Sequence, residues 1–199
     1  MAKSSGAKGF DYRGGLLGVD ASPVNIDVLI DDSATLTLGD AVRIDADGNL
    51  DVVGAGEPIL GILQGIVDQS GINVFETGRA GNTDGSTLSG DDTITLSSTN
   101  TSDSTRKLKG RVALTNSWNS KWYNDSNGTL AQTNLFQFFD TIAGGDQIDS
   151  TSASNANGQF QLIEIDPDGD ADASKGIFVV NEFQLGASSL DTATTKIAA

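Results

Sequence analysis

Along residues 23–79 apolar and polar side chains alternate with a period of two, as expected of strands that bury one face. In PVNIDVLIDD, Val24, Ile26, Val28 and Ile30 share a face; in TLTLGDAVRID the same role falls to Leu36, Leu38, Val42 and Ile44. LDVV follows, and then EPILGILQGIVD, an apolar run in which Gly61 and Gly65 predict bends or bulges. With a further strand expected at INVFETG, residues 23–79 read as a small antiparallel β-barrel-like module.

Residues 80–199 read as a second β-rich portion, jelly-roll-like, with long polar loops. Its opening tract is small and polar apart from TITL, which suits a long loop or a peripheral hairpin. Strands are expected at RKLKGRVALTN, QFQLIEID and KGIFVVNEFQL. In TNLFQFFDTIAGG, Leu135, Phe138, Phe139 and Ile142 fall at i, i+3, i+4 and i+7, with Thr133 to cap and Gly144 to end. That spacing predicts one short helix near 133–143, against a competing reading of LFQFF as strand. Residues 1–22 have scattered apolar residues without a period and read as an extended N-terminal arm. The fold class is therefore all-β with one short helix.

Composition narrows the chemistry. Cysteine and histidine are absent, which removes thiolate chemistry, imidazole triads and zinc sites built on Cys or His. Any metal would sit among oxygens, which makes calcium the candidate cation. A net charge of −15 argues against a nucleic-acid partner. No apolar run approaches the ~18 residues of a membrane span, so no membrane partner is expected either. MAKSSGAKGF lacks the apolar stretch of a secretory leader, which predicts synthesis in a cytoplasm. The glycosylation triplets at Asn100, Asn124 and Asn127 carry no weight in so polar a chain.

Two acidic heptads raise the cation question. DADGNLD, starting at Asp45, fails the EF-hand pattern because Gly48 stands fourth rather than sixth and Gly56 occupies the twelfth position. Ile44 and Leu50 bracket Asp-Gly there, so a hairpin turn explains it. DPDGDAD places Asp166, Asp168, Asp170 and Asp172 in a longer loop, where either a turn or a bound cation fits. No phosphate loop, dinucleotide fingerprint or nucleophile elbow is present, and no enzymatic activity is expected.

Three further groups are candidates for contact. Phe10, Tyr12, Arg13, Leu16 and Leu17 would let the arm lie on a neighbouring subunit. Arg106, Lys107, Lys109 and Arg111 form either a solvated edge strand or an ionic contact with an acidic neighbour. Trp118, Trp122 and Tyr123 form an interface, a sugar platform or a core plug.

The segment LTLGDAVRIDADGNLDVVGAGEPILGILQGIVDQSG, residues 36–71, resembles the small β-barrel modules of tailed-phage capsid decoration, or cement, proteins. The shared features are a GDAV strand, a hairpin and a glycine-punctuated PILGI strand. The resemblance implies a virion structural protein on the capsid surface, commonly a homotrimer, whose partners are the major capsid protein and other copies of itself. The alternative from another class is a carbohydrate-binding or adhesive module that uses the aromatic trio with calcium at the second heptad.

Overall fold

The computed structural model describes residues 9–15, 23–74, 87–89, 92–104, 107–114, 120–167, 169 and 172–181. Among the described residues thirteen strands follow in chain order. They are β1 (Asp11–Tyr12), β2 (Asn25–Leu29), β3 (Thr35–Thr37), β4 (Ala41–Ile44), β5 (Leu50–Val52), β6 (Gly61–Val67) and β7 (Thr87–Ser89), then β8 (Thr93–Thr95), β9 (Lys109–Leu114), β10 (Trp122–Asp125), β11 (Phe138–Phe139), β12 (Phe160–Ile165) and β13 (Lys175–Val180). All the strand pairings are antiparallel, and the protein is all-β as its sequence pattern predicts.

The central sheet has the order β2-β9-β6-β4-β5. A parallel bridge between Ile30 and Leu50, with the Asp31 amide donating to the Leu50 carbonyl at 3.0 Å, curls this sheet back on itself into a small barrel. A three-stranded sheet, β3-β8-β7, covers one side and turns Leu36 and Ile94 into the same core. The other five strands, β1-β10-β13-β12-β11, form a second sheet.

Two cores of different character result. The first, within the barrel, is aliphatic and includes Ile30, Val42, Leu50, Leu63, Ile66 and Val112. The second lies between the barrel and the outer sheet, where Phe10, Trp122, Phe139, Phe160 and Phe178 gather. The barrel meets these rings with Ala41, Ala113, Val53, Ile59 and Ile62. Small residues opposite large ones let the layers interlock at crystal-like density. At β6 the central sheet is thus buried on both faces, which is why this strand reads as a nearly continuous apolar run.

Gly65 does what its position predicts. The β6–β9 register shifts between Leu63 and Gly65, and this bulge keeps Ile66 on the aliphatic side with Leu63. Gly61 has a different role: a Cβ there would collide with the Ala113 carbonyl on the neighbouring strand.

Two expectations are corrected. The helix near 133–143 is not formed; one 3-10 turn, Gln132–Asn134, is followed by strand β11. Helical spacing lost to tertiary pairing, since Phe139 is drawn into the aromatic core opposite Phe160. Next, β9 is no edge strand, because it lies between β2 and β6. Its Val112 and Ala113 point to opposite cores, and both are fully buried. The sheets run across residue 79: β9, from beyond it, pairs with β6, and β1, from the N-terminal segment, pairs with β10.

Candidate functional site

Of the N-terminal residues expected on a partner, Phe10, Tyr12 and Arg13 are described, and they pack on their own chain. Gly9, at φ +106°, packs against Gly39 so closely that a Cβ on either would sit about 3 Å from the other's backbone. This approach lets the Phe10 amide donate to the Gly39 carbonyl at 2.7 Å. Phe10 is then 1% exposed. Tyr12 meets Trp122 edge-on at 5.5 Å, and the Arg13 guanidinium lies 4.6 Å above the Tyr123 ring. Phe10 is therefore part of the core of its own chain, and Tyr12 packs half-buried beside it. The glycine contact that seats them has no local sequence signal. Leu16 and Leu17 lie outside the described residues, as does Arg106.

Within the basic run, Arg111 donates from Nε and Nη2 to Asp27 at 2.9 and 3.2 Å, directly across the β2–β9 pair. This two-pronged contact holds the guanidinium pKa above its ordinary value, first by the hydrogen bond and then by the charge of Asp27. Its acidic neighbour is thus within the chain. Lys109 shares the outer face of β9 with Arg111, and Lys107 precedes the strand.

The first heptad is a hairpin, as expected. The Asp45 amide donates to the Asn49 carbonyl, and Oδ1 of Asp45 accepts from the amides of Asp47 and Asn49. Gly48 supplies the positive φ, +85°. The same bonds recur at Asp68, with Ser70, Gly71 and Ile72 in the corresponding places. That second loop carries the same Asp-x-x-Gly spacing in the sequence.

In the second heptad, Asp172 accepts from the Ser174 amide and hydroxyl and lies 3.7 Å from the Lys175 ammonium. Asp166 closes the loop by backbone bonds with Lys175 and Gly169. Asp168 and Asp170 lie outside the described residues. Among the described residues no three acidic side chains gather as ligands for calcium or another cation.

Of the aromatic trio, Trp118 lies outside the described residues. Trp122 is fully buried, and Tyr123, whose hydroxyl donates to Asp125, is 7% exposed. Neither offers a platform for a sugar. Asn100 and Asn124 are also fully buried and bond to backbone, so their triplets are structural.

A different surface stands out in the structure. Phe136 is 65% exposed and adopts φ +65°, a conformation that strains a bulky L-residue. Its backbone is pinned there: the amide donates to the Leu162 carbonyl at 2.8 Å, and its carbonyl accepts from Gln161 Nε2 at 3.0 Å. Around it Asn134 donates to Gln137, and Gln137 donates to Asn155. Phe138 and Ser154 exchange backbone bonds along β11.

No family model, curated protein or solved structure matches this chain.

The surroundings of Phe136 share a second property. Residues 126–139 and 150–163 contain no Asp, Glu, Lys or Arg, in a chain of which one fifth is charged. The β11–β12 pairing brings the two tracts together. The tracts are bounded by Asp125, Asp140, Asp149 and Glu164, so the exposed, amide-rimmed ring belongs to a stretch of neutral residues, the composition of an interface core, where aromatics are enriched and charges depleted. The helical reading of residues 133–143 hid it by assigning Leu135, Phe138 and Phe139 to one face. The gap in charge was the available signal.

Proposed function

We propose that this protein is a non-catalytic virion component, a decoration protein that binds the outer capsid shell of a tailed phage and braces it. The observation that carries the reading is the organisation of residues 36–71. The tract with the GDAV and PILGI signatures forms β3 to β6, and β4, β5 and β6 are adjacent strands of one barrel whose interior is filled by side chains. A packed barrel with an aromatic second layer suits a bracing subunit, whose contribution comes from many modest contacts repeated by symmetry.

The test is co-sedimentation of the full chain with shells assembled from the major capsid protein of the same virus. Binding, with a rise in the melting temperature of the shells, is expected. Failure to co-sediment would overturn the reading. Because Phe10 belongs to the core, the role of the arm is tested by deleting only residues 2–8; loss of shell binding with unchanged melting of the free protein is expected.

A further inference from the structure

The charge-free tracts around Phe136, which end at Asp140 and Glu164, also bear on how this acidic chain meets itself. Two copies each carrying −15 repel, and the repulsion is least where neither presents charge. We propose that this face is the contact through which copies of this chain associate, with Phe136 as the anchor that becomes buried.

Three observations converge on a second copy as the occupant. The first is charge: a basic partner would be matched by the acidic remainder of the surface, whereas an uncharged face suits another acidic molecule. The second is the state of Phe136 in the single chain, where a strained backbone holds a largely solvated ring. Covering the ring removes apolar surface from water and so offsets the strain. The third is the mode of contact. Ser154 already pairs with Phe138 on the outer side of β11, so that edge is closed to strand addition and side chains must make the contact. The amides of Gln137, Asn155 and Gln161 then form the polar rim around the ring.

Self-association of the free protein is independent of shell binding, so the two readings fail separately. The test is sedimentation velocity of the full chain over a range of protein concentrations, at low and high sodium chloride. Assembly should grow with concentration and tighten with salt, because screening weakens the repulsion of the acidic remainder. Phe136→Gly removes the ring and suits the positive φ, while Thr133→Asp adds a charge at an exposed neighbour. Each should weaken association by about tenfold or more with an unchanged far-ultraviolet circular dichroism spectrum and melting temperature.

A monomer at every concentration and salt would overturn the proposal. So would association untouched by both substitutions. Weakening with salt would also overturn it and would point to the Lys107 and Lys109 region. A monomer that binds a glycan array through Phe136 would replace the second copy with a carbohydrate.

Discussion

Phe10 stacks on Phe160 with ring centroids 4.5 Å apart and planes 13° from parallel. Phe160 in turn meets Phe178 edge-on at 6.5 Å, and Phe178 meets Phe139 at 6.2 Å. The N-terminal segment therefore starts a chain of rings that crosses the layer between barrel and outer sheet. Replacing Phe10 by Ala should destabilise the fold by about 3–5 kcal/mol, as for a fully buried Phe, in urea denaturation followed by tryptophan fluorescence. A loss below about 1 kcal/mol would show that the segment is not part of the core.

Gln159 joins the same two layers through polar bonds. Its Nε2 donates to the carbonyls of Gly54 and Glu57 at 2.8 and 2.6 Å, and its Oε1 accepts from the amide and hydroxyl of Thr141. Gln159→Leu keeps the bulk at a fully buried position and strands the buried Thr141 donors and the part-buried carbonyls of Gly54 and Glu57. A loss of about 2–4 kcal/mol is expected, since more than one backbone group is orphaned. Equilibrium unfolding checks it, and a near-neutral result would mean water replaces the amide.

Two glycines should respond differently to alanine. Gly48, at φ +85°, has open space where a Cβ would go, so Gly48→Ala should cost only the conformational penalty, about 1–2 kcal/mol. In Gly110 a Cβ would overlap Leu50 Cδ2 and crowd Leu63 inside the barrel. Gly110→Ala should cost more, about 3 kcal/mol or above, because β9 cannot withdraw from between β2 and β6. Equal midpoints for the two variants would contradict the barrel packing.

Asp149 has its carboxyl pKa below the ordinary value. The Thr151 hydroxyl is the main cause, donating at 2.7 Å; the Thr151 amide follows, and Asn127 adds a smaller effect against burial. The folded pKa lies below the unfolded one, so the contribution to stability is present above the unfolded value of ~3.9 and lost as pH falls through the folded value. Thr151→Val should raise the Asp149 pKa in a carbon-13 carboxyl titration. An unmoved midpoint would show that the hydroxyl is not the cause.

Much of this architecture was legible in the chain. Alternation at Ile26, Val28 and Ile30 and at Val42 and Ile44 marked strands because a half-buried strand must repeat every two residues. The Asp45 hairpin was equally readable, since Asp-Gly between Ile44 and Leu50 encodes a turn within a few residues. Gly65 announced a bulge for the same local reason.

What failed were the cases in which a distant partner decides. The spacing of Leu135, Phe138 and Phe139 suits a helix, yet pairing with β12 and burial against Phe160 made it a strand. Basic side chains on β9 suggest an edge, yet Asp27 accepts Arg111 from across the ladder and leaves Val112 and Ala113 to face two cores. Phe10 looked like part of a free arm because the contact between Gly9 and Gly39 joins residues thirty positions apart. By itself the sequence determined which stretches could be strands and where they turn, because period and turn chemistry act over a few residues. Only the tertiary structure decided which strands are central, where Phe10 lies and that two uncharged tracts meet around Phe136, because each depends on contacts between distant positions.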